Sequence, residues 1–151
     1  MDRFTMIALL VALVILIMLS GFFSATETAY TGFSAVRMRR FSKTKRSARV
    51  ALRLSGDYNK ILTTLLIGNN IVNITSSTIG TVLFVALLGE GLGPTVSTVV
   101  ITAVVLIFGE ITPKTLAKES PEKFACFAAY PLLVLTYVLW PLNWLFAQWE
   151  R

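Results

Sequence analysis

Four long runs without a charged side chain dominate the pattern: residues 4–25, 61–88, 92–109 and 124–149. A helix that crosses a bilayer needs roughly 20 mostly apolar residues to span a ~30 Å hydrocarbon core. Each run meets or approaches that length. The runs predict an all-α membrane protein, one transmembrane domain over residues 1–151, with three transmembrane helices at about 4–32, 57–88 and 94–117. Asp57 is placed to cap the second helix. The stretch Gly89-Glu90-Gly91-Leu92-Gly93-Pro94 reads as a turn, with Pro94 at the favoured first position of the third helix. Residues 34–56 are predicted as cytoplasmic amphipathic helices, because apolar Val36, Val50, Leu52 and Leu54 are interleaved with cations. The last run, about 121–149, contains Pro131 and Pro141, and its Tyr130, Tyr137, Trp140, Trp144 and Trp149 are spread along it. Proline bends a helix, and indole and phenol rings prefer the interface. A Pro-bent juxtamembrane belt helix fits this segment better than a fourth straight span.

Charge fixes the expected orientation. Arg37, Arg39, Arg40, Lys43, Lys45, Arg46, Arg49 and Arg53 fall in one short segment with no acid until Asp57, whereas the 89–94 turn has no Lys or Arg. Basic loops stay cytoplasmic, so the N-terminus is expected outside, in a multi-pass protein of the cell's inner (plasma) membrane. The net charge of +6 is thereby explained by the bilayer and its anionic head groups, and nucleic acid is not an expected partner. The first run has a weakly charged start and no Ala-x-Ala site after it, so a permanent helix is expected there rather than a cleaved signal.

Composition then narrows the chemistry. The chain has no histidine and a single cysteine, Cys126. Zinc, copper and iron–sulfur sites lean on imidazole and thiolate, and histidine-based catalysis is excluded. No nucleophile–base pair is visible, so an enzyme is not expected. Any metal handled here meets oxygen.

Three polar clusters interrupt the apolar helices, and polar groups at that depth are costly. In the first helix Ser20, Ser24, Glu27, Thr28 and Thr31 share a face at helical spacing. They supply either helix–helix hydrogen bonds or ligands, and Glu27 is equally able to meet an arginine near the surface. The second helix carries Asn69, Asn70 and Asn73, and at ~1.5 Å per residue from Lys60, Asn70 lies about 15 Å deep, near the midplane. Interhelical bonds of about 0.6 kcal/mol each are a weak reason to place three amides there. In the third, Pro113 lacks the N–H that would bond the Gly109 carbonyl, next to Glu110. That is either a cation site of the broken-helix kind or an ordinary kink with Glu110 paired to Lys114. Hydroxyl, amide, carbonyl and carboxylate oxygens on three helices are the set a hard cation takes; Mg²⁺ demands near-octahedral oxygen at ~2.0–2.1 Å.

The runs Gly21-Phe22-Phe23-Ser24-Ala25-Thr26-Glu27-Thr28-Ala29, Asn69-Asn70-Ile71-Val72-Asn73-Ile74 and Gly109-Glu110-Ile111-Thr112-Pro113-Lys114-Thr115-Leu116-Ala117 together resemble the transmembrane domain of the CorC/cyclin M (CNNM) magnesium transporter family. The resemblance implies magnesium export exchanged against Na⁺, by a homodimer with three spans and a belt helix per subunit. It implies an Mg²⁺ site at Ser20, Ser24, Asn70, Gly109 and Glu110 first, with Asn69 and Asn73 beside them. Glu27 and Thr28 are then candidates for charge or cation coupling, and Gly21 and Pro113 for helix breaks. Such proteins continue into a cytoplasmic pair of CBS domains; this chain ends at Arg151 and is expected to be a fragment without them. Two rival readings are a membrane anchor or sensor that transports nothing, and a passive divalent-cation channel.

Overall fold

In a bilayer a single segment satisfies its backbone only as a helix, and helix is what the uncharged runs form. The structure is a computed structural model that describes residues 2–150, and no strand occurs among them. Helix α1 spans Arg3–Gly32, α2 Ala35–Ser42, α3 Arg46–Ser55 and α4 Tyr58–Val104. A π-helical segment, Val105–Ile111, follows, then α5 Thr112–Glu119, α6 Pro121–Val138 and α7 Trp140–Glu150.

α4 is two arms around one residue. Gly89 has φ 87 and ψ 171, a left-handed conformation open to glycine, and the chain is helical on both sides of it. The expected six-residue turn is therefore one residue long, and the third helix starts directly after Gly89 rather than at Pro94. Pro94, inside the second arm, has no N–H for the Glu90 carbonyl four residues back, so that arm lacks one bond near its start. Close crossing of the arms explains the other glycines. A Cβ on Gly93 would lie 2.6 Å from the Val85 Cα, and one on Gly80 2.5 Å from the Ile101 side chain. With buried Ser76 and Ser97, these small residues let two backbones meet, as membrane helices require.

Contacts group the chain into two compact units, one of residues 1–24 and 68–114, the other of 25–67 and 115–151. The first is centred on Leu13, Leu83 and Ile101, packed by Leu9, Ile17, Ile79, Phe84 and Val105. α1, at 30 residues, is about 45 Å long at ~1.5 Å per residue, and α1 and α4 are long and apolar enough to cross a membrane.

The second unit is built on small side chains. Ala29, Ala48, Ala51, Ala125, Ala128 and Ala129 are fully buried, which brings α3 against α6. The Tyr30 hydroxyl donates to the Ala125 carbonyl at 3.0 Å. Glu122 Oε1 accepts from the Ser34 N–H at 3.1 Å and lies 3.9 Å from Arg37, so one carboxylate ties the basic segment to α6. Asp57 caps α4 as expected, accepting from the Lys60 N–H at 3.3 Å. In the last run Pro131 sits inside an unbroken α6. The bend comes later, at Leu139, where α6 and α7 meet at 66°. Pro141 lies just past that break, in the first turn of α7, where a missing N–H costs no intrahelical bond, so the run has one bend rather than two.

Candidate functional site

The polar clusters of α1, of the first arm of α4 and of the π segment converge within the first unit. The Ser20 hydroxyl, fully buried, lies 2.8 Å from Asn73 Oδ1 and 3.2 Å from Asn69 Oδ1. Asn69 Nδ2 donates to Glu110 Oε1 at 3.4 Å, and Glu110 Oε2 lies 3.3 Å from the Lys114 ammonium. Five side chains from four helical segments thus form one chain of contacts.

The donor count within it is short. A serine hydroxyl has one proton and an amide oxygen two lone pairs. Ser20 has two amide oxygens within reach and a proton for one. Ser24, one turn further along α1, is 1% exposed and its Oγ has no hydrogen-bond partner. A buried polar atom without a partner costs about 1–3 kcal/mol. Around the Ser20 hydroxyl itself, acceptor oxygens outnumber protons.

Glycines make the convergence possible. A Cβ on Gly109 would fall 2.9 Å from Ser20 Oγ, and a Cβ on Gly21 3.1 Å from both the Phe108 carbonyl oxygen and the Pro113 ring. Gly21 and Pro113 therefore mark where α1 meets the broken helix at backbone distance; α1 itself is helical through Gly21. A Cβ on Gly68 would likewise fall 3.1 Å from the Phe23 ring.

The π segment changes the backbone argument. Thr112 N–H bonds the Ile107 carbonyl, five residues back. In that register the carbonyl opposite Pro113 is that of Phe108, not that of Gly109 four residues back. π turns are rare and common at functional sites. Gly109 acts here through its missing side chain, which admits the Ser20 hydroxyl.

The remaining predicted residues fall elsewhere. Asn70 is exposed, and no hydrogen bond ties it to the cluster; it is turned about 100° from Asn69 around the helix. Asn69 and Asn73, placed second by the sequence reading, are the two amides the structure brings to Ser20. Glu27 is exposed and Thr28 half-buried, and both belong to the second unit. Among the described residues no three His, Cys, Asp or Glu side chains gather as a metal group, so Glu110 is the one carboxylate of this oxygen set.

A cavity of about 350 Å³ has Asn73 and Glu110 on its wall together with Ser77, Thr98 and Thr102. The last three were missed from sequence. Their signal was present: Asn73 and Ser77, and Thr98 and Thr102, are each four apart, on one face of their arm.

Comparison with known proteins agrees with this architecture. The family described as the cyclin M transmembrane N-terminal domain matches residues 11–149. A UPF0053 protein of Haemophilus influenzae is 36% identical over 146 residues, which cover 96% of this chain and 34% of that protein. The UPF0053 inner membrane protein YfjD of Escherichia coli is 38% identical over 128 residues, 84% of this chain and 30% of its own length. A chloroplastic DUF21 domain-containing protein of Arabidopsis thaliana is 33% identical over 131 residues, covering 87% and 20%. The chain spans about a third or less of the length of these relatives. A match that runs through all three polar clusters and the bent C-terminal run places the chain in the cyclin M (CNNM) transmembrane domain family.

Proposed function

We propose that this chain is the ion-handling membrane domain of a divalent-cation transporter, with Mg²⁺ as its cargo and no catalytic activity of its own. The observation that carries the reading is the oxygen surplus around Ser20: two amide oxygens compete for one hydroxyl proton, beside a carboxylate and the unpartnered Ser24 Oγ. A hard cation relieves that shortage directly, since it takes several oxygens at once.

In this reading Ser20, Ser24, Asn69 and Asn73 supply neutral oxygens and Glu110 the charge. Loading requires Glu110 to leave Lys114, which then screens the empty state. The π segment supplies carbonyl dipoles at the same level, from Phe108 and Gly109. Asn70, Glu27 and Thr28 serve the approach or a second subunit rather than this cluster. The cavity past Asn73 toward Ser77, Thr98 and Thr102 is the onward path. The protein works as a homodimer that exports Mg²⁺ against Na⁺, with its basic segment cytoplasmic and its N-terminus outside. Cytoplasmic CBS-pair domains regulate it in the longer protein.

Glu110→Gln tests the site. It keeps size and removes charge, and is expected to weaken Mg²⁺ binding by a hundredfold or more while melting temperature stays within a few degrees. Calorimetry with Mg²⁺ and flux into proteoliposomes are the measurements; binding that survives the change refutes the assignment.

The Lys114–Glu110 pair at 3.3 Å favours a second reading, in which the cluster is structural glue and the domain a membrane anchor. Reconstituted full-length protein that moves no Mg²⁺ under any Na⁺ gradient, with Glu110→Gln lowering stability instead, would establish it.

A further inference from the structure

The second unit holds a cavity that the cation site does not use. It measures about 340 Å³ and is lined by Asp57, Lys60, Trp140, Asn143 and Trp144, among others. Asn143 is its unusual member. Its Nδ2 donates to Thr64 Oγ1 at 2.8 Å, and Thr64 donates in turn to the Lys60 carbonyl at 2.7 Å. Because the Thr64 proton is committed, the amide orientation is fixed, and Asn143 Oδ1 is left buried with no partner. That oxygen is closed to solvent, so the charged groups the cavity offers a ligand are Asp57 and Lys60.

The charges nearby are also unmatched. Among the described residues the ion pairs are Arg37–Glu122 and Lys114–Glu110, so the Asp57 carboxylate and the Lys60 ammonium are both without a salt-bridge partner. A neighbouring cavity of about 410 Å³ shares Asp57 and Lys60 and adds Arg53 and Tyr137. On the other side, a trough of about 540 Å³ shares Trp140 and Trp144 and is otherwise lined by Pro141, Leu142 and Leu145. A pocket with one cation and one anion therefore opens beside an apolar slot, and two indoles form the wall between them. Indole rings prefer this boundary between head groups and hydrocarbon.

We propose that this is a binding site for a phospholipid whose head group joins a phosphate to a primary ammonium, a phosphoethanolamine. Lys60, with Arg53 close by, takes the phosphate. Asp57 takes the ammonium N–H groups, and an acyl chain lies along Trp140 and Trp144. A choline head group fits less well: aromatic cages bind it through its methyl groups, and it has no N–H for the Asp57 carboxylate. An anionic head group such as phosphoglycerol leaves Asp57 facing like charge. The apolar trough argues for the intact lipid over a free head group. The inference does not depend on the cation reading, since the two sites share no residue.

Native mass spectrometry of the intact protein, offered lipids of identical chains, tests it. Phosphatidylethanolamine is expected to be retained about tenfold over phosphatidylcholine, the factor that one charge-assisted hydrogen bond supplies. Its N,N-dimethyl form should fall between them, and phosphatidylglycerol below phosphatidylethanolamine. Equal or better retention of phosphatidylcholine or phosphatidylglycerol overturns the proposal. Asp57→Asn, which keeps the helix cap and removes the charge, should erase most of the preference for ethanolamine over choline, whereas Lys60→Gln should weaken all phosphate head groups alike. The lipid series on the unaltered protein decides the question even if a variant fails to fold. Soluble glycerophosphoethanolamine at the lipid's concentration should displace nothing; displacement would overturn the role of the trough.

Discussion

The first arm of α4 carries two kinds of polar side chain at membrane depth, and they behave differently. Thr75 and Thr78 donate to the carbonyls of Ile71 and Ile74, four residues back, at 2.7 and 3.0 Å; in the second arm Thr98 does the same to Pro94. These hydroxyls are satisfied by their own helix. Asn69 and Asn73 reach across to Ser20 and Glu110 instead. Threonine folds back on its own backbone easily, whereas an amide carries more bonding capacity than its own turn accepts. Depth and polarity alone therefore do not make a site; unmet acceptors do.

Changes in the two groups should separate accordingly. After Glu110→Gln, the largest effect is expected from Gly109→Val. Its branched side chain has to displace Ser20, costing about 1–3 kcal/mol of stability from overpacking and abolishing Mg²⁺ uptake in proteoliposomes. If uptake persists, the contact between Gly109 and Ser20 is not part of the working site. Ser20→Ala removes two contacts and should cost about 1 kcal/mol and about tenfold in Mg²⁺ affinity, read by melting and calorimetry. Ser24→Ala is the most pointed test. Removing an unpartnered hydroxyl should leave melting temperature equal or raised while Mg²⁺ affinity falls severalfold, and a loss of stability would show that the hydroxyl has a structural partner. Thr78→Val should change stability by less than about 0.5 kcal/mol and leave flux unaltered.

Helix positions were largely legible in the sequence, because uncharged length is a strong signal and the caps are local. α1 ends at Gly32 and α4 starts after Asp57, as the pattern indicated. The Gly89 turn was located but drawn too long: residues 90–94 look like loop, and only the packing of Gly93 on Val85 makes them helix. The site's helices were legible too, but not the rotation of each side chain. Three asparagines within five positions give no internal clue to which faces Ser20, and the answer lies in where α1 packs. The π segment was unreadable for a related reason. A Pro-X-X-X rule assumes a four-residue ladder, and the fifth residue enters through tertiary contact at Gly21 and Gly109.

The hinge at Gly89 has a practical consequence. With one residue joining the arms, no slack chain protrudes at that end, so a tag, epitope or protease site inserted there cannot loop out without prying the arms apart. An L-alanine at Gly89 would strain the bend, whereas its mirror-image D-alanine suits a φ of 87. Semisynthesis with that one stereocentre inverted would rivet the hairpin shut without adding a contact.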